Sequence, residues 1–272
     1  MTDRTTGELA GQVAVVTGAS RGLGLAYALE LARAGAILAI QDLNFSTHGE
    51  FATADEAPAS AEDQLREIGA EFRMAEFDAS DEAAMKEFVD GIVAEFGRVD
   101  IAVANAGGGT KSIKDTRAST LDGTDFSAVF TKNLLTAVAL VRAVCPHMKE
   151  REYGRIVLVS SQAGMHSNHQ GTYAHYGSVK AGITNYMRNL AQDLGEHSIT
   201  VNAIAPGYIG TDRMMRQFEA VGVETIERRT ALKRIGTPGE CAAAVEFLAS
   251  PRASYITGAL LTIDGGSTHN GA

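Results

Sequence analysis

The sequence predicts an α/β fold in a single domain: a doubly wound parallel sheet with helices on both faces. Three observations predict it. Residues 12–42 run strand, glycine turn, helix, strand, the opening of a nucleotide-binding βαβ unit. Short apolar runs then alternate with helical stretches as far as residue 263, as in a sheet buried on both sides. Finally, Tyr176 and Lys180 head a helix-forming stretch just after a strand of buried type. Positions i and i+4 share a helix face, so the phenol and the ammonium fall in one small volume at the sheet's edge.

Residues 1–10 read as a frayed tail, and Gln12–Thr17 as the first strand. It ends in Gly18-Ala-Ser-Arg-Gly-Leu-Gly24, spaced G-x-x-x-G-x-G. Glycines permit a tight turn and the close approach of a pyrophosphate, whose charge sits at a helix N-terminus. A helix over 25–34 leads to a second strand, Ala36–Ile40, which ends at Asp42. An acid about twenty residues past such a loop bonds the adenosine ribose hydroxyls. Asp42 would repel a 2′-phosphate of charge about −1.5 to −2, so NAD is expected and NADP is the alternative. Arg21 in the loop favours the alternative, whereas Leu43 supplies no second cation.

Residues 44–61 are polar and irregular, an extended loop that serves as a lid, a subunit contact or a tolerated insertion. A helix over 62–68, a strand over Phe72–Phe77 closing at Asp78, and an amphipathic helix over Ala83–Phe96 follow. The fourth strand, Asp100–Ala104, enters Asn105-Ala-Gly-Gly-Gly109, small residues that let the backbone pass beneath a flat cofactor. A long helix is predicted from about Asp125 to Glu150, with Asn133 among leucines as a core amide. The fifth strand covers Arg155–Ser161.

His166, His169 and His175 then fall within one stretch, but no carboxylate or Cys joins them at a regular helical spacing. No metal is expected there; substrate contact or solvent is. A helix over Tyr173–Glu196 and a strand over Ile199–Ile204 lead to Pro206-Gly-Tyr-Ile-Gly-Thr211. Residues 207–230, polar with Met214, Met215 and Phe218 interspersed, form either a substrate lid or a plain surface helix. A last helix over Pro238–Ser250 and a strand over Leu260–Ile263 close the domain.

Composition agrees with one globular domain: 272 residues, 45% hydrophobic and 21% charged, without repeat or linker. A net charge of −9 argues against nucleic acid or an anionic membrane as partner. Cys145 and Cys241 lie in apolar helical patterns and read as buried thiols. No secretory segment opens the chain and no uninterrupted apolar run approaches ~18 residues, so a soluble, cytoplasmic protein is expected. A phenol ionises near pH ~10 and a fixed cation beside it favours the phenolate, each pKa unit being ~1.4 kcal/mol. Tyr176 beside Lys180 is thus a candidate base.

Together these motifs resemble the short-chain dehydrogenase/reductase family, in its compact single-domain subgroup, over roughly residues 10–268. Thr17–Gly24 matches TGxxxGxG, Asn105-Ala-Gly107 the NAG turn, Ser161, Tyr176 and Lys180 the Ser-Tyr-Lys set, and Asn133 the helix Asn. Pro206-Gly207 with Thr211 matches the motif beside the nicotinamide. The resemblance implies a Rossmann-type sheet of about seven strands, a secondary alcohol or ketone as substrate, and a homotetramer pairing the 125–150 and 173–196 helices. It implies a cofactor site made by Gly18, Ser20, Arg21, Gly22, Leu23 and Gly24, by Asp42, Leu43, Asp78 and Ala79, and by Asn105, Ala106 and Gly107. Tyr176, Lys180, Pro206, Gly207, Ile209 and Thr211 complete it. By the family mechanism Tyr176 exchanges the hydroxyl proton, and Lys180 bonds the nicotinamide ribose and lowers the Tyr176 pKa. Ser161, with Ser160 as its rival, holds the substrate oxygen, and Asn133 holds a water on the proton path. Substrate contacts are expected from Gln162, His166, His169, Tyr173 and Tyr208 on the polar side and Met214 and Met215 on the apolar side. The stretch from Ser161 to Tyr176 is about two residues longer than the family pattern, which leaves the substrate open. The alternatives are an NADPH-dependent 3-oxoacyl-carrier-protein reductase and a non-catalytic dinucleotide sensor.

Overall fold

A computed structural model of the chain describes residues 7–46, 59–110, 113–168 and 170–267. Most of the extended loop over 44–61, and His169, lie outside the described residues. The strands are β1 (Val13–Thr17), β2 (Ile37–Asp42), β3 (Phe72–Glu76), β4 (Ile101–Ala104), β5 (Gly154–Val159), β6 (Ile199–Pro206) and β7 (Leu260–Ile263). They form one seven-stranded sheet in the order β3-β2-β1-β4-β5-β6-β7, and every pairing is parallel. The chain therefore builds outward from β1 to β3, then crosses back to β4 and builds outward to β7. A crevice opens beyond the carboxyl ends of β1 and β4, where the direction reverses, and ligands of such sheets bind there.

The helices are α1 (Gly22–Arg33), α2 (Ala61–Glu67), α3 (Glu82–Phe96), α4 (Gly123–Phe130), α5 (Thr136–Glu150), α6 (Ala174–Leu194), α7 (Asp212–Val221), α8 (Val223–Glu227) and α9 (Pro238–Ala249). Alternation along the strands sorts them into two layers. Ala14, Val16, Ile101 and Val103 face one core with Leu31 of α1, Leu65 of α2 and Val245 of α9. Val13, Val15, Ala102 and Ala104 face the other with Val89 of α3, Leu140 of α5 and Met187 of α6. Arg98 and Asp100 fasten the switch point from below. The Asp100 carboxylate, fully buried, takes Nε and Nη2 of Arg98 at 2.6 and 2.7 Å and the Val13 N–H at 2.8 Å.

The long helix predicted over 125–150 is present as α4 and α5, but a π turn, Thr131–Leu135, joins them. Asn133 accounts for it. Its Nδ2 donates to the Val129 carbonyl at 2.9 Å, the acceptor that an α-helix reserves for the Asn133 backbone N–H, and the helix widens by one residue there. This combined helix carries an 18-residue window of mean hydropathy 1.5, half of it buried within the protein. Its length and apolarity are those of a core helix crossing the sheet. The fifth strand stops at Val159, so Ser160 and Ser161 stand beyond the sheet, at the crevice.

Candidate active site

Two turns make the crevice, and they are laced together. The Thr17 hydroxyl oxygen, at the end of β1, accepts the N–H groups of Asn105 and Ala106 at 3.2 and 3.1 Å. In return Asn105 Nδ2 donates to the carbonyls of Thr17 and Gly18 at 3.1 and 2.9 Å. A β-carbon on Gly24 would collide with the Gly18 carbonyl, so the first turn of α1 folds against the loop only because that position is glycine. Gly22 faces open space, its nearest neighbour in that direction being the Thr211 methyl at 3.7 Å. This open glycine cradle at a helix N-terminus fits a dinucleotide diphosphate.

Asp42 sits at the rim of the same cradle. Its carboxylate is held from both sides by backbone, Ser20 N–H donating to Oδ2 at 2.8 Å and Leu43 N–H to Oδ1 at 2.7 Å. Leu43 lies beside it with 63% of its surface exposed. Ala79 is buried beneath, while Asp78 closes its own turn by accepting from Ser80 N–H at 2.9 Å. One neighbour was invisible in the sequence. Lys132, on the π turn, lies within electrostatic reach of Asp42, Arg21 and Arg213, and desolvation lowers its pKa, with the two arginines adding to that. Leu43 supplies no second cation, as expected from its side chain, but Lys132 arrives from 90 residues away in sequence.

At the catalytic end, strand alternation separates the two serines. Ser160 Oγ turns inward and donates to the Lys180 carbonyl at 2.8 Å, a tie between β5 and α6. Ser161 turns the other way, accepts the Ala163 N–H at 3.2 Å and lies close enough to the Tyr176 phenol to favour its ionised form. Lys180 Nζ stands 5.5 Å from the Tyr176 ring centroid and donates to the Val159 carbonyl at 2.8 Å. The expectation that Lys180 lowers the Tyr176 pKa is not met in this arrangement. Burial pushes the phenol well above its ordinary value, Tyr173 adds to that, and Ser161 and Arg213 oppose it. Burial also pulls the Lys180 ammonium down to about 7.

Asn133 is placed differently from expectation too. Its Oδ1 accepts the Gly108 N–H at 2.9 Å, and its Nδ2 donates to the Gly108 and Val129 carbonyls. Both Nδ2 protons are engaged within the protein, so the side chain acts as a clamp on the turn after β4. A β-carbon on Gly107 would collide with Asn133 Oδ1. Thr136 Oγ1, bonded to the Ala106 carbonyl at 3.2 Å, is a second clamp that the sequence did not single out.

Of the expected substrate contacts, Tyr173 is the one brought to the reacting groups. It caps α6 with left-handed backbone, φ 65°, a conformation costing on the order of 1–3 kcal/mol for such a residue. Its N–H is shared between the Thr116 carbonyl at 3.0 Å and hydroxyl at 2.9 Å. Asn168 shapes the lengthened loop before it, taking the N–H groups of Gln170 and Thr172. The Tyr173 ring then stacks on Tyr176, centroids 4.5 Å apart at 26°, with its hydroxyl against Gly109. His166 is exposed. His175, expected to meet substrate or solvent, is fully buried on the inner face of α6, edge-on to Tyr173 at 5.7 Å. Among the described residues no group of His, Cys, Asp and Glu could hold a metal ion.

The remaining candidates turn away from the phenol. Gln162 Oε1 accepts from the Ser267 hydroxyl at 2.5 Å. Tyr208 packs edge-on to Phe218 and its oxygen accepts from Arg229. It lines a separate cavity of about 410 Å³ with Leu232, Thr262 and Asp264. Met215 lies against Gly210, and Met214 contributes its N–H to the Thr211 cap at 3.4 Å. Ile209 is buried, and Gly207 passes so close to Asp264 that a β-carbon would stand 2.6 Å from its side chain. Thr211 thus opens α7, the helix over the crevice.

Known proteins resemble this chain in sequence and fold. A family model described as Enoyl-(Acyl carrier protein) reductase matches residues 18–268. The chain is 42% identical over 264 residues to the cyclohexanol dehydrogenase of Rhodococcus sp. (strain TK6), covering 96% of this chain and 98% of that protein. It is 35% identical over 256 residues to the 3-oxoacyl-acyl-carrier-protein reductase of Escherichia coli (strain K12), covering 94% and 97%. The crystal structure of an NAD+-bound xylitol dehydrogenase matches it with a TM-score of 0.84 at 32% identity, covering 95% and 99%.

Proposed function

Because the chain belongs to the short-chain dehydrogenase/reductase family, we propose that it interconverts a secondary alcohol and its ketone, with NAD as the hydride carrier. The observation that carries this reading is the gathering of Ser161, Tyr176 and Lys180 beyond the end of β5, with the Lys180 Nζ 5.5 Å from the Tyr176 ring. NAD, when bound, supplies the nicotinamide C4 that accepts hydride from the alcohol carbon. Ser161 holds the substrate oxygen. Tyr176 takes the hydroxyl proton as the C–O bond becomes a carbonyl, and returns it in the reverse direction. Lys180, drawn off the Val159 carbonyl toward a ribose hydroxyl, places its charge beside the phenol and supports the phenolate. A positioned proton-transfer group of this kind contributes ~10²–10⁴ in rate.

The held carboxylate of Asp42 supports NAD, as it offers two oxygens to ribose hydroxyls and repulsion to a 2′-phosphate. Arg21 and Lys132 are the specific observation for the second reading, an NADPH-dependent 3-oxoacyl reductase, since both are cations near Asp42. The relatives divide the same way by name, one an alcohol dehydrogenase and one an oxoacyl reductase. A panel of secondary alcohols and ketones assayed with both dinucleotides tests the choice. We expect kcat/KM with NAD to exceed that with NADP at least tenfold, ~1.4 kcal/mol, and Asp42→Ala to narrow the gap. Equal or better use of NADP would overturn the assignment. Binding of NAD without turnover of any substrate would favour the sensor reading.

We also propose a homotetramer built on the α4–α5 and α6 helices. Phe126, Phe130 and Leu135 support it: these large apolar residues on the α4–π–α5 helix are 37–39% exposed.

A further inference from the structure

Arg213, in the first turn of α7, is a cation beside the crevice. Several surface arginines of the chain pair with carboxylates, as Arg33 does with Glu30, Arg66 with Glu62 and Arg142 with Glu82. Arg213 has no hydrogen-bond or ion-pair partner among the described residues, and although its side chain is exposed it reaches toward the crevice. Its Nη1 lies 3.4 Å from the position a β-carbon on Gly108 would take, so the guanidinium reaches from the lid helix across to the turn after β4. Gly109, the next residue of that turn, touches the Tyr173 hydroxyl, and the Tyr173 ring stacks on Tyr176. Guanidinium, glycine turn, Tyr173 and Tyr176 therefore line one wall. The charges along the groove are Lys132 and Arg21, with Asp42 at the far rim. Arg213 is near enough to favour the ionised form of both phenols.

We propose that Arg213 binds a carboxylate carried by the substrate, so that the enzyme's substrates are hydroxy acids or keto acids with the anion a few bonds from the reacting carbon. This rests on the alcohol dehydrogenase reading, in which Tyr176 marks the reacting carbon. A planar guanidinium takes a carboxylate through two parallel N–H···O bonds, which fixes the orientation of the carbon skeleton as well as its affinity. The same fork could meet the dinucleotide diphosphate, the other anion in the crevice. Position favours the substrate: the diphosphate seat lies at the N-terminus of α1, already served by the glycine cradle and Arg21, whereas Arg213 stands beside the phenols.

The test compares cyclohexanol with 3-hydroxycyclohexanecarboxylate, using the parent and Arg213→Met at saturating dinucleotide. The parent should prefer the acid by at least about tenfold in kcat/KM, and Arg213→Met should reduce that ratio at least tenfold, with Arg213→Lys between them. The Kd for NAD, measured by calorimetry, should stay within about twofold. A parent without preference, or a variant that keeps the ratio, overturns the proposal; so does a variant whose main loss is NAD affinity, which would assign the arginine to the diphosphate. Calorimetric binding of 3-oxocyclohexanecarboxylate to the NAD-loaded parent and variant gives a readout free of turnover. If neither alcohol is oxidised but the acid binds only when Arg213 is present, the anion site stands and the dehydrogenase reading fails. Equal binding by both proteins, or none by either, removes the site whatever the turnover.

Discussion

Tyr176 is pulled in two directions. Burial favours its neutral phenol, while Ser161 and Arg213 favour the phenolate. Removing the hydroxyl alone isolates its role, because Tyr176→Phe keeps the ring that stacks on Tyr173. Turnover should fall by roughly 10² or more with NAD affinity close to the parent's, and near-parental turnover in that variant would sink the mechanism. Lys180→Ala should damage both turnover and NAD binding. The lysine also leaves a mark on stability. Its folded-state pKa is about 7 against an ordinary 10.5, so between those values the unfolded chain carries a proton that the folded one has released. Raising the pH from 7 to 9.5 should then stabilise the cofactor-free fold, a gain that is lost as the pH falls through about 7. Urea unfolding of the parent and of Lys180→Met at both pH values checks it. Parallel pH dependence in the two proteins would show that the lysine does not carry the effect.

At the scale of elements, the π turn in the long helix organises the site. Asn133 spends its amide on Val129 and Gly108, so a distortion of one helix sets the position of a turn on another strand. Asn133→Ala leaves the Gly108 N–H and two carbonyls without these partners and should cost about 1–3 kcal/mol. Thermal unfolding should register that loss, and the KM for NAD should rise as the turn loosens; an unchanged KM would separate the clamp from the cofactor. The sequence carried every strand and the main helices, because apolar period and glycine turns are local signals. It also pointed to Tyr176 and Lys180, whose spacing belongs to one helix, and to Asp42, whose spacing from the glycine loop belongs to one βαβ unit. It could not carry the π turn, since one residue added to a helix barely alters an apolar pattern. Nor could it carry Lys132 and Arg213, which reach the crevice from elements remote in sequence from the glycine loop. The pull of burial on Lys180 was not legible either: a motif names neighbours, whereas burial follows from the fold.

At the scale of the molecule, the exposed apolar stripe on α4–α5 bears on assembly. Replacing Phe130 by Glu puts a charge where two helices are proposed to meet, at a solvent cost that a monomer does not incur. Light scattering should show the variant as a smaller species than the parent, and an unchanged mass would place the interface elsewhere. The order of the sheet has a consequence for the cell as well. β1 lies inside the sheet, between β2 and β4, yet the Val13 N–H meets its partner Asp100 only 87 residues later. At translation speeds of about 5–20 residues per second, the ribosome needs roughly 4–17 s to supply β4 after making β1. Throughout that interval Val13, Val15 and their neighbours can pair with β2 on one side only, and the other edge stays open to any strand nearby. Slower crowding of nascent chains, through weaker induction or the presence of a chaperone that holds apolar segments, should therefore raise the soluble yield of this protein more than it would for a helical bundle of equal length.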